Sequence, residues 1–217
     1  MTRLTQAIVF ISALVLSTLL AGCSSAYYKA LEGIGIPKRE LMVHRVEKAR
    51  DSQEDTKEQF QTALEKFKAI ATFDGGELED KYNQLNGEFE ASEDQANEVK
   101  KRISDIEDVS EALFEEWEEE LNQYESASLR RNSATKLSAT RRHYAQMIAT
   151  MKRAEAKMEP VLKAFRDQVL YLKHNLNAKA IASLQDEVSS VESDIAVLIE
   201  SMEKSINEAN AFIETMG

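Results

Sequence analysis

The stretch LEDKYNQLNGEFEASEDQANEVKKRISDIEDVSEAL, residues 78–113, decides the fold. Within it Leu78, Tyr82, Leu85, Phe89, Ser92, Ala96, Val99, Ile103, Ile106, Ser110 and Leu113 follow one another by alternating steps of four and three. Nine of these eleven are apolar, so they line one seam of a single long helix. The same steps run through Met42, Val46, Ala49, Gln53, Thr56, Phe60, Ala63, Phe67 and Ile70, and through Ile181, Leu184, Val188, Val191, Ile195, Leu198 and Met202. Between Glu77 and Met216 there is one glycine, Gly87, and one proline, Pro160, whereas a sheet-containing chain would need many more turn residues. The fold class is all-α.

Four helices are expected, at about 37–73, 77–125, 130–174 and 178–215. Pro37 suits the first helical position, and Asp74-Gly75-Gly76 marks the end of the first helix. The third helix starts within Ser126 to Ser133, carries Tyr144, Ile148, Met151, Met158, Leu162, Phe165, Val169 and Leu172 on one face, and ends at His174-Asn175-Leu176-Asn177. Asn177 is the expected N-cap of the fourth. Short connections make successive helices antiparallel, and at 1.5 Å per residue the middle pair, roughly 75 and 70 Å, outruns outer helices of roughly 55 Å. The architecture predicted is an elongated antiparallel four-helix bundle with a projecting central hairpin, spanning 37–217. Pro160 should kink or break the third helix, because its ring clashes with the carbonyl of Ala156. Glu155, between Met151 and Met158, is expected to reach the rim of the core.

The N-terminus has a different character. Arg3 precedes an uncharged apolar run from Ala7 to Leu20, and Leu20-Ala21-Gly22-Cys23 follows, which resembles the lipobox of bacterial lipoprotein precursors. The resemblance implies a signal peptide at 1–22, cleavage between Gly22 and Cys23, and acylation of Cys23 with more than one chain, which anchors a protein stably without a span. The apolar run falls short of the roughly 20 residues a spanning helix needs, and Cys23 is the sole cysteine, which argues against an uncleaved anchor or a chance thiol. Ser24 stands where Asp often marks inner-membrane retention, so the expected address is the outer membrane of a Gram-negative envelope. Residues 23–36 form a tether whose Tyr27, Tyr28, Leu31, Ile34 and Ile36 predict a short helix resting on the bundle or the bilayer.

Removing residues 1–22 takes away Arg3 alone and leaves 26 Lys plus Arg against 38 Asp plus Glu, a net charge of −12. Such an acidic chain, without a broad basic face, is not expected to bind nucleic acid. With 7% aromatic and 30% charged residues, a thin elongated core suits it better than a compact globule. A lone cysteine excludes an internal disulfide, so packing alone must hold the fold.

Charge is segregated at the hairpin tip. Glu111, Glu115, Glu116, Glu118, Glu119, Glu120 and Glu125 face Arg130, Arg131, Lys136, Arg141 and Arg142 across the turn. The simpler reading is local pairing that sets helix register, at ~0.2–1 kcal/mol per exposed pair. The alternative is a tip that meets anionic headgroups through Arg130 and Arg131, with Trp117 and Tyr124 as interfacial aromatics.

His44, His143 and His174 show neither Glu-x-x-His nor His-x-x-x-His spacing, and there is no phosphate loop, nucleophile elbow or Cys/His pair. No catalytic, metal or cofactor site is expected, and the chain is read as no enzyme. With the lipobox, the four helices and the tail from Ser189 to Gly217 in view, the whole chain resembles an uncharacterised family of Gram-negative lipoproteins rich in coiled coil, carrying a domain of unknown function. The resemblance implies an envelope lipoprotein and supplies no activity. A likeness to chromosome proteins would come from heptads alone. The expected role is structural or protein-interacting, with an envelope protein as partner. The alternative is a helical module that holds a lipid or small apolar ligand near Pro160. Heptad faces are satisfied within one chain or between chains, so they do not set the oligomeric state.

Overall fold

The computed structural model describes residues 27–72, 78–175 and 178–216, the side chains of 178–180 excepted. Gly22, Cys23, Ser24, the Asp74-Gly75-Gly76 turn and Asn177 lie outside the described residues. A short helix at 27–33, α1, precedes α2 (Lys38–Ala71), α3 (Leu78–Leu121), α4 (Ala127–His174) and α5 (Ala178–Met216). Among the described residues there is no strand.

The heptad seams are the core. All nine seam positions of α2 are buried, and the eleven of α3 are buried or half-buried. α2 packs on α3 and α5, and α4 packs on α3 and α5, so the four long helices form a ring with α2 opposite α4. Their register runs evenly from end to end. Lys38 lies beside Glu116, Arg45 beside Asp105, and Gln59 beside Glu88, while Arg39 meets the end of α5 at Met216 and Lys68 meets Glu192 near its beginning. Each neighbouring pair is therefore antiparallel. The Phe67 and Phe165 rings, 5.7 Å apart and tilted, fill the core toward the end far from the hairpin tip.

The helix lengths give about 51, 66, 72 and 58 Å for α2 to α5. Because α2 starts level with Glu116 and α5 ends near His143, α3 and α4 continue alone beyond that level. The hairpin projects at the tip end.

Two local expectations need correction. Pro37 is the N-cap, not the first helical residue: its ψ of 149° is extended, while its carbonyl accepts the first helical bond from Leu41 N–H at 3.1 Å. α3 stops at Leu121, four residues before Glu125. Its last turns carry a run of glutamates and no base in the last turn, a charge the negative end of the helix dipole opposes, and Asn122 donates its side-chain amide to the Glu118 carbonyl at 3.4 Å. α4 begins at Ala127, inside the Ser126–Ser133 window expected for its start, where the Ser126 hydroxyl accepts from Leu129 N–H and caps it. α4 is not broken at Pro160, which leaves the kink as the remaining part of that expectation. Pro160 and Ala156 are exposed, so the carbonyl that loses its bond turns to water, while buried Met158, Val161 and Leu162 hold the helix to the bundle on both sides. Glu155 is half-buried at the rim.

Polar side chains interrupt the seams in mid-bundle. Gln53, Thr56, Ser92 and Ser205 are all fully buried. Thr56 and Ser92 satisfy themselves on carbonyls one turn back in their own helices, at 2.6 and 2.7 Å. Gln53 and Ser205 cannot. The Ser205 hydroxyl donates to the Gln53 side-chain carbonyl at 2.7 Å, linking α2 to α5, and Gln53 Nε2 has no partner among the described residues. A slip of either helix by one heptad would replace this contact with a buried orphan, so the pair fixes register.

Ser205→Ala should therefore destabilise the protein by about 1–3 kcal/mol by stranding the Gln53 carbonyl, and Gln53→Leu added to it should restore most of that loss. Urea unfolding of the two variants and the parent measures the cycle; additive losses would show that the hydrogen bond is not what couples them.

Candidate functional site

Two surface regions carry the chemistry that the core does not use. The first is the hairpin tip. Phe114 and Tyr144 meet edge-on with centroids 5.4 Å apart, and the Arg141 guanidinium lies 5.2 Å above the Phe114 ring while pairing with Glu118. The bond from Arg141 holds the Glu118 carboxyl below its ordinary pKa. Trp117 donates its indole N–H to the Ser133 hydroxyl at 2.7 Å, across the hairpin. Of the acidic run, Glu118 turns to α4 and Glu116 turns back to α2. Arg130 and Arg131 are exposed on the opening turns of α4 and make no ion pair among the described residues.

Where α2 and α5 end against the hairpin, the step leaves an open groove of about 630 Å³ with Trp117, Leu129 and Met216 among its apolar walls and Arg39, Lys136 and His143 among its polar ones. None of the four grooves described on the bundle is lined by Pro160. Among the described residues no three His, Cys, Asp or Glu side chains converge as metal ligands would. No described helix is long and apolar enough to cross a membrane.

The second region is α1, which sequence reasoning placed only as resting on the bundle or the bilayer. It lies on the bundle, antiparallel to α2, in the groove between α2 and α3. Tyr28 is 3% exposed, and its hydroxyl accepts from Arg45 Nη1 at 3.1 Å while the same arginine donates to the Asp105 carbonyl of α3. Seven residues suffice for this helix because both its ends are fixed. Gly35, at φ 89°, closes a Schellman cap in which Ile36 N–H reaches the Leu31 carbonyl at 3.0 Å and Gly35 N–H reaches that of Glu32 at 2.9 Å.

Beyond the cap, buried Lys38 at the start of α2 pairs with Glu32 of α1 and, at 2.8 Å, with Glu116 of α3. One ammonium thus ties three helices together. Burial works against its charge, but the bonds to Glu116 and Glu32 outweigh burial and raise its pKa. The bond from Lys38 lowers that of Glu32 against the opposing effect of burial. Burial raises the Tyr28 pKa, with Arg45 opposing.

These shifts bound the pH range over which α1 stays docked. Glu32 is depressed when folded, so its contribution is complete above the ordinary value of 4.5 and is lost as pH falls through the lowered folded pKa. Lys38 and Tyr28 are raised, so theirs is complete below 10.5 and 10.0 and is lost as pH rises through the folded values. NMR shifts of the amides at 28–33 should stay constant through neutral pH and change on both flanks. A change centred near neutrality would refute the ion triad as the clasp.

No curated protein and no solved structure matches this chain. One family profile matches residues 27–216, from the first residue of α1 to the last of α5. The chain accordingly belongs to the family described as Protein of unknown function (DUF2959).

Proposed function

We propose that this protein is a lipoprotein of the Gram-negative outer membrane, anchored through acylated Cys23, whose helical bundle serves as a structural or protein-interaction element of the envelope. The observation that carries the reading is the placement of the sole cysteine. Cys23 closes an uncharged apolar run and stands four residues before α1. An anchor there needs only a short tether.

The core supports a scaffold over a ligand carrier. Its seams are filled mostly by Leu, Ile, Val, Phe, Met and Ala, and the described grooves are open surface features of mixed polar and apolar walls. Partner contacts would then fall on the helix faces and the hairpin step, where Trp117 and Leu129 offer apolar surface beside Arg39 and Lys136. Arg130 and Arg131 belong to the same end, and their nearest use is electrostatic attraction to an acidic partner surface.

The anchor is tested by Cys23→Ser. The variant should lose its acyl mass, accumulate as precursor or in the soluble fraction, and leave the outer membrane, with its helicity by circular dichroism unchanged. Retention in the outer membrane together with an unacylated parent would overturn the proposal.

A further inference from the structure

The position of α1 limits how an anchored bundle can stand. Tyr27 lies level with His44 and Arg45 of α2 and Asp105 of α3, far from either end of the bundle. At 1.5 Å per residue, about 24 Å of helix separate Asp105 from Leu121 at the tip, and about 40 Å separate it from Leu78 at the other end. The chain from Tyr27 back to Cys23 reaches at most about 14 Å even when fully extended. A bundle standing tip-down on a bilayer that holds Cys23 would therefore push about 10 Å of the hairpin, with Glu119 and Glu120, past the level of Cys23 even with the tether fully extended, where charge is strongly disfavoured. The opposite end is farther still.

The flank around α1 has the composition of an interfacial surface. Tyr28 and Leu31 face the bundle. On the other side, Tyr27 is 49% and Ile34 73% exposed, with exposed Ala30 between them at helical spacing. Lys29 of α1 is exposed, and Lys48, Arg45 and Arg102 line the groove beneath Tyr27. Asp105 is the acid in that groove, and Glu98 pairs with Arg102 at 2.6 Å. In a chain of net charge −11, exposed apolar side chains with Lys29 and Lys48 on the same flank, beside the attachment point, fit the edge of an anionic bilayer.

We propose that docked α1 lays the bundle on its side, with Tyr27, Ala30 and Ile34 in the headgroup region of a phospholipid bilayer and both ends of the bundle held off it. This rests on the Cys23 anchor proposed above. It assigns the membrane contact to the α1 flank in place of Arg130, Arg131 and Trp117.

Trp117 is the chain's single tryptophan and reports the tip without a label. The mature chain is coupled through the Cys23 thiol to a maleimide-headgroup lipid, in vesicles of phosphatidylethanolamine and phosphatidylglycerol containing a doxyl-labelled quencher lipid. Trp117 should keep its emission, whereas Tyr27→Trp in a Trp117→Phe background should lose most of its own. Adding Tyr28→Ala and Lys38→Ala, which release α1, should leave position 27 quenched through its short tether but let the bundle reorient, so that Trp117 becomes quenched as well. Quenching of Trp117 by the doxyl lipid in the docked protein, a position 27 shielded from both doxyl lipid and aqueous iodide as by a protein partner, or a Trp117 whose emission is unchanged by release of α1 would each overturn the proposal. The mass of the N-terminal peptide from native envelopes separates the two claims. An unacylated Cys23 overturns the anchor and with it the orientation in the cell, whereas an acylated Cys23 with a lipid-quenched Trp117 overturns the orientation alone.

Discussion

Everything in this protein depends on burying one apolar stripe per helix along a bundle more than four times longer than a helix is wide. Hydrophobic burial is non-directional and would tolerate any register that keeps the stripes inward. A seam repeating every seven residues has many such registers. What selects among them is polar: the Ser205 hydroxyl on the Gln53 carbonyl in the interior, and the Lys38 ammonium between Glu32 and Glu116 near one end. Both are costly to strand and so permit one alignment.

The seams were legible because a 3.5-residue period survives isolated polar substitutions. Gln53, Thr56, Ser92 and Ser110 break the apolar rule yet hold their seam positions and are buried. Partners across helices were not legible. Nothing in the sequence of α2 says that Gln53 meets Ser205, since that depends on how two helices slide past each other. Lys38 reads as a surface charge until α1 folds over it. The docking of α1 had a faint signal in the three-residue spacing of Tyr28 and Leu31 followed by Gly35 and Pro37, too short for a periodicity argument to locate on the bundle. Pro160 does not break α4, and the carbonyl that its ring displaces is that of Ala156, on an exposed face.

The hairpin tip shows charge placed for a neighbour and against the element that carries it. Glutamates crowd the negative end of α3, and Arg130 and Arg131 sit near the positive end of α4, each opposing its own helix dipole. Side by side, the two unfavourable ends offset one another, and Arg141 with Glu118 is the point of direct contact. The charge segregation read from the sequence is thus an inter-helix feature, which explains why α3 yields its last turn early and why Ser126 supplies the cap that no acidic residue in the first turn of α4 provides.

The bond from Arg39 to the Met216 carbonyl closes a ring in which the first and last long helices are neighbours. That closure sets an order of assembly. α2, α3 and α4 can pair with sequence neighbours as they emerge from the ribosome or a translocation pore, but the open flank of α2, including Gln53, stays uncovered until α5 arrives, with Ser205 152 residues away. Pairing at such separation is entropically late. From the completion of α4 at His174 until α5 arrives, the chain is a three-helix layer with an exposed apolar edge, a state that a holding chaperone would recognise and that any truncation ahead of α5 would make permanent.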